Sequence, residues 1–97
     1  MNCVIRWKDC NKSPAVIAHL EAKISRFDEY RFVMPDIKAE IVHYPKRHVF
    51  ATRLNLQVKN RGIIRAEAKA DDILTAINLA VEKIADQLRR VKTRYEK

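Results

Sequence analysis

The sequence predicts an α+β fold in which a four-stranded, mostly antiparallel sheet carries two helices packed on one face, in the order βαβββα. Three observations lead there. Four stretches alternate apolar with polar residues, two others repeat apolar residues every three or four positions, and the 97 residues suffice for a single domain, 1–97, but not for two. Because each strand and each helix has one apolar side, laying both helices on one face of the sheet covers all of them together.

Cys3, Ile5 and Trp7 alternate with Asn2, Val4 and Arg6, which gives a first strand with its odd positions toward the core. Ser13-Pro14 reads as a helix N-cap followed by Pro at the first helical position, where the missing N–H is not needed. Ile17, Leu20, Ile24 and Phe27 then mark the apolar stripe of a helix reaching about Tyr30. Residues 32–35 interrupt the pattern. From Asp36 the period is two, with Ile37, Ala39, Ile41 and His43 on one side and Lys38, Glu40, Val42 and Tyr44 on the other. Pro45-Lys46-Arg47 makes a turn. The clearest strand follows, with Phe50, Thr52, Leu54, Leu56 and Val58 on one face and Val49, Ala51, Arg53, Asn55, Gln57 and Lys59 on the other. Asn60-Arg61-Gly62 holds the only glycine, as a tight hairpin with positive φ requires, and beyond it Ile64, Ala66 and Ala68 alternate with Arg65, Glu67 and Lys69. Asp71 and Asp72 place acid at the start of a final helix whose last turns are basic, both of which the helix dipole favours. Its stripe is Ile73, Ile77, Ala80, Ile84, Leu88, Val91 and Tyr95.

Twenty Lys and Arg against twelve Asp and Glu give a net charge of +8, which points to an anionic partner and to nucleic acid first. Lys83, Asp86, Arg90, Arg94 and Lys97 share one face of the final helix, flanked by Arg89 and Lys92. From residue 83 to 97 there are six basic residues and two acidic ones, so half of the net charge gathers at this end. His19, Lys23, Arg26 and Tyr30 line a face of the first helix. Helices packed side by side would merge the two rows into one cationic surface; the open face of the sheet, with Arg53, Arg65 and Lys69, is the other place where basic residues collect. One charged row is ordinary for a surface helix, whereas two favour binding. His19 and His43 read as packed or hydrogen-bonded residues. Tyr30 and Tyr44 suit half-buried element ends, and their rings are also of the kind that stacks on bases.

Other classes find little support. No run approaches the ~20 apolar residues of a membrane span, and the opening Met1-Asn2-Cys3-Val4-Ile5-Arg6 is too short and too early charged for a signal peptide, so a cytoplasmic protein without a membrane partner is expected. Cys3 and Cys10 have no further cysteine to complete a zinc set and read as ordinary side chains. The GXXG loop of a KH domain is missing, and Arg53, Asn55, Arg65 and Glu67 stand where an RNA-recognition motif needs aromatics. With no P-loop, GxSxG or HExxH, the expectation is a protein that is not an enzyme, with no catalytic residue, metal, cofactor or small-molecule substrate.

The segment from Ile64 to Arg90, with its Arg65-Ala66-Glu67 strand end, Asp71-Asp72 helix start and Glu82-Lys83-Ile84-Ala85-Asp86-Gln87-Leu88-Arg89-Arg90 run, resembles the ribosome hibernation promoting factor family, also called the ribosome-associated inhibitor or sigma-modulation family. Ala22-Lys23-Ile24-Ser25-Arg26-Phe27-Asp28-Glu29-Tyr30 is similar to that family's first-helix motif, and the likeness runs nearly end to end. The resemblance implies a fold like that of double-stranded-RNA-binding domains. It also implies a partner, the small ribosomal subunit and its rRNA, bound where messenger and transfer RNA pass, so that translation is blocked during stress or stationary phase. Carried over by position, the RNA-binding residues are Lys23, Arg26, Lys83, Arg90, Lys92 and Arg94. Asp86 stands where the family often has Arg and can pair with Arg89 or Arg90; Trp7, Thr75 and Asn60-Arg61-Gly62 also depart from the pattern. The chain is read as a short-type member, or the N-terminal domain of a longer protein, monomeric off the ribosome. A general RNA-binding or ribosome-assembly module of the same fold, or a domain meeting an acidic protein, are the alternatives.

Overall fold

The structure is a computed structural model that describes residues 1–95, Tyr95 by its backbone alone. Strand β1 (Asn2–Lys8), helix α1 (Pro14–Ile24), strands β2 (Val33–Tyr44), β3 (Val49–Val58) and β4 (Gly62–Ala70), and helix α2 (Ile73–Tyr95) follow in the expected order. The sheet order is β1-β2-β3-β4. β1 runs parallel to β2, because α1 carries the chain back across the sheet between them, and the two hairpins make the other pairings antiparallel.

Both helices lie on the face formed by Cys3, Ile5 and Trp7, by Ile37, Ala39 and Ile41, and by Leu54, Leu56 and Val58, all joined in one apolar cluster. Leu20, Phe27, Ile37, Ile41, Leu54, Leu56, Ile77, Ile84 and Leu88 are fully buried in it. Each such side chain contributes roughly 1.5–3 kcal/mol relative to exposure. Burial pushes the Cys3 thiol up to about 11, and the Cys10 Sγ donates to the Ile41 carbonyl at 3.5 Å, so both act as packing groups.

Ser13 caps α1 as expected, its hydroxyl accepting from the Val16 N–H at 3.3 Å. Several details differ from expectation. The α-helix stops at Ile24 rather than near Tyr30, because the Ser25 hydroxyl donates to the Ala22 carbonyl at 2.7 Å and residues Ser25–Glu29 tighten into a 3-10 turn. The three-residue period of that turn seats Phe27 over Ile24 in the core. Tyr30 is extended and tilts against Phe32 with ring centroids 5.3 Å apart, so it leaves the helical row altogether. Val16, not Ile17, is the buried residue of the first turn, and on α2 Ala76, Val81 and Ala85 join the stripe. The side chain of Tyr95, assigned to that stripe, and Lys97, assigned to the basic row, lie outside the described residues.

β2 begins at Val33, three residues before the alternation becomes visible. Its register against β3 shifts between Val33 and Ile37, a bulge that accommodates Pro35, which has no N–H for the ladder. Asn60 and Gly62 take φ of 64° and 85° in the β3–β4 turn; no atom lies within 4 Å of a Cβ built on Gly62, so backbone conformation alone selects glycine there.

Thr52 is fully buried on the helix-covered face of β3, and its hydroxyl has no hydrogen-bond partner among the described residues. An unsatisfied buried hydroxyl costs about 1–3 kcal/mol. The near-isosteric Thr52→Val is therefore expected to stabilise the protein by about 1 kcal/mol, raising Tm by ~5 °C in a thermal melt; an unchanged or lower Tm would contradict this account.

Candidate nucleic-acid interface

The long basic helix is started by an acid. The Asp72 carboxylate accepts from the Thr75 N–H at 3.0 Å and from the Thr75 hydroxyl at 2.8 Å, bonds that hold its carboxyl below the usual value. From this cap α2 runs about 34 Å at 1.5 Å per residue. Its position over β3 and β4 is set by the apolar stripe, so the angle of each basic residue around the helix is fixed by its distance from that stripe.

Two flanks result, and they face different neighbours. On one, Lys83 Nζ donates to the Glu67 carbonyl at 2.7 Å and Gln87 Nε2 to the Arg65 carbonyl at 2.8 Å. β4 is the last strand of the sheet, so α2 side chains occupy outward carbonyls of an edge strand. Arg90 and Arg94, two and three turns past Lys83, continue on this flank, and a shallow depression between helix and edge is lined by Arg65, Glu67, Lys83, Asp86, Gln87 and Arg90.

The other flank meets α1. Arg26 pairs with Glu82 at 3.0 Å, and the His19 Nε2 and Asn78 Oδ1 lie 2.8 Å apart. Lys92, about four turns past Asn78, returns to this side. Glu82 and Lys83 are sequence neighbours yet meet different elements, α1 and β4, since successive helical residues differ by ~100°. The expectation of one merged cationic surface is thus corrected. Arg26 meets α2 on the α1 side, whereas Lys83, with Arg90 and Arg94 two and three turns on, lies on the flank beside β4. All six candidate side chains, Lys23 and Lys92 included, are exposed. Asp86, on the crest, pairs with Arg89 rather than Arg90.

The open face of the sheet carries an arrangement that the alternation alone does not disclose. Arg6, Glu40, Arg53 and Glu67 stand opposite one another across all four strands, a row of alternating charge. At its centre the Arg53 guanidinium donates to Glu40 at 2.6 Å, to Glu67 at 2.8 Å and to the Tyr44 hydroxyl at 3.1 Å. The Arg53 bond holds the Glu67 carboxyl below the usual carboxylate range, with Lys69 and Lys83 adding to the effect. In the next row Val42 and Ala51, on the face away from the helices, are 1% and 0% exposed between Lys8 and Lys69. Of the three basic residues expected here, Arg53 is thus engaged in the ladder, while Arg65 and Lys69 are exposed at the β4 edge. Among the described residues no helix is long and apolar enough to cross a membrane, and no three His, Cys, Asp or Glu are grouped to hold a metal ion.

Comparison with known proteins adds an independent line. The model of the family described as sigma 54 modulation protein / S30EA ribosomal protein matches residues 3–96. A ribosome hibernation promotion factor from Deinococcus radiodurans is 33% identical over 84 residues, which are 81% of this chain and 42% of that protein, so the chain spans less than half of that relative's length. Two solved structures share the fold. The N-terminal domain of Protein Y from Thermus thermophilus superposes with a TM-score of 0.81 at 22% identity, covering 94% of this chain and 99% of that one. A ribosomal subunit interface protein from Coxiella burnetii gives 0.82 at 21%, covering 96% and 99%.

The charge row makes a prediction with a definite sign in pH. A carboxyl whose value is lowered in the folded protein adds stability above its unfolded value and loses it as the pH falls. Arg53→Met should cost about 1 kcal/mol at pH 7, after discounting for the solvent exposure of these pairs, and progressively less as the pH falls through the lowered Glu67 value and that carboxylate is protonated. Urea unfolding at pH 7 and pH 3 checks it; an equal penalty at both would mean that Arg53 acts by packing alone.

Proposed function

Because the chain belongs to the family of sigma 54 modulation protein / S30EA ribosomal proteins, we propose that it binds the small ribosomal subunit through rRNA and occupies the path of messenger and transfer RNA, holding ribosomes idle in the cytoplasm during stress or stationary phase. The family match over residues 3–96 is the observation that carries this reading. The geometry supports it in a specific way. Lys83, Arg90 and Arg94 are spaced along one flank of α2, and Lys23, Arg26 and Lys92 are exposed elsewhere on the helices, so cations are available to more than one stretch of phosphate backbone. Such contacts position a protein on RNA through charge, releasing counterions as they form.

Inhibition on this mechanism is steric and stoichiometric. One protein blocks one subunit, no covalent step occurs, and the six cations are the groups through which the domain, 1–97, is seated. Arg26 keeps the ion pair with Glu82 until rRNA replaces it, which makes its contribution smaller than that of residues without an acidic neighbour.

Replacing Arg90 and Arg94 by Glu is expected to lower co-sedimentation with purified small subunits at least tenfold while leaving circular dichroism and melting nearly unchanged, since exposed charges add only ~0–1 kcal/mol each to stability. Adding Lys83→Glu should deepen the loss and also lower stability, because Lys83 holds the β4 edge. Full binding by the triple variant would remove this flank from the interface. Bound initiator transfer RNA with message should compete with the protein, each displacing the other; simultaneous occupancy of one subunit by both labelled molecules would refute occlusion.

A further inference from the structure

We propose that the end of the open sheet face where Tyr44, Lys46, Arg47 and Lys69 meet is a second RNA contact, taking phosphates of a single-stranded segment on its three cations and a base against Tyr44. It rests on the reading above for the nature of the partner and adds to it a surface apart from the six cations of the helical face. Strand alternation points this surface away from α1 and α2, so the molecule has RNA-binding chemistry on both faces.

Four observations converge here. First, the turn Pro45–Arg47 is a 3-10 turn closed by the His48 N–H on the Pro45 carbonyl at 3.4 Å, with His48 at φ 51°, and Pro45 fixes its own φ. Lys46 and Arg47 therefore project from a pre-set backbone and lose little chain entropy on binding. Second, Tyr44 is anchored, its hydroxyl accepting from Arg53 at 3.1 Å while the Lys69 ammonium stands 5.7 Å from the ring centroid. A fixed aromatic face beside cations is the combination that single strands use, bases stacking while phosphates pair. Third, Lys8 and Lys69 end one cross-strand row whose middle members, Val42 and Ala51, are fully buried, so this row presents a cation at each side and no acid. Fourth, cations outnumber acids at this end, although Lys69 also stands 3.8 Å from Glu67. Glu40 and Glu67 are matched by Arg53, and the depression lined by Tyr44, Pro45, Lys46, Arg47 and Lys69 includes one acid, Asp9.

The test is a titration of the full chain with a uridylate octamer followed by NMR. Shifts should appear at Tyr44, Lys46, Arg47 and Lys69. Replacing Lys46, Arg47 and Lys69 by Ala should weaken octamer binding at least tenfold and flatten its salt dependence by about two units of slope, at ~0.7 per phosphate on a single strand. Tyr44→Leu should weaken binding several-fold and Tyr44→Phe, which keeps the ring, far less; circular dichroism of each variant separates misfolding from lost contact. Shifts confined to α1 and α2, or unaltered affinity in the triple variant, would overturn the proposal. Equal affinity for oligoglutamate with the same shifts would also overturn it, marking a surface for an acidic protein instead. Co-sedimentation with small subunits reads the functional proposal separately, so failure there in the wild-type chain leaves the octamer result standing, and the reverse holds as well.

Discussion

The seating of α2 across β3 and β4 is the contact on which the remaining structure depends. Ile77, Ile84 and Leu88 are fully buried there with Leu54 and Leu56, and small residues at 76, 80 and 85 bring the helix close to its neighbours. With several kilocalories per mole at stake in that stripe, the helix cannot rotate to suit its charged residues. Their directions follow instead from the stripe: Glu82 toward α1, Lys83 toward the β4 edge. The same constraint leaves the far side of the sheet uncovered, and there charge must be balanced across strands rather than shielded by a helix.

That balance takes a different form at each place. On the open face Arg6 and Arg53 together offset Glu40 and Glu67, and Arg53 fixes Tyr44, so the row across the middle of the sheet carries no net charge. At the outer edge Lys83 and Gln87 occupy carbonyls that would otherwise present a free ladder to another chain, a protection that exposed edge strands need. Lys83 therefore has two uses in the proposed function, one in holding the edge and one in presenting charge beside it. An acidic Asp86 on the crest is compatible with this arrangement because Arg89 pairs with it and Arg90 lies round the helix toward β4.

Much of this was legible from residue order alone. Period two in four stretches and period three to four in two others established the element order and the helix-covered face, and Ser13-Pro14 marked the first helix cap, because local propensity and burial act there in the same direction. The basic character of α2 and the six candidate residues were equally visible. What the pattern could not convey was anything requiring two segments at once. The start of β2 at Val33 depends on a bulge against β3, and Tyr30 leaves its helix because Ser25 turns on its own backbone while Phe32 offers the ring a neighbour.

The sequence by itself determined which residues are apolar, which are charged and at what helical or strand period they recur, since these are properties of short stretches. Only the tertiary structure decided that the two basic rows are separate, that Glu40, Arg53 and Glu67 stand in line, and that Tyr44 stands beside Lys69. Strand register and helix rotation are set by packing among distant parts of the chain. A one-residue slip in register, or 100° of rotation, would leave every local pattern unchanged and every one of these pairings broken.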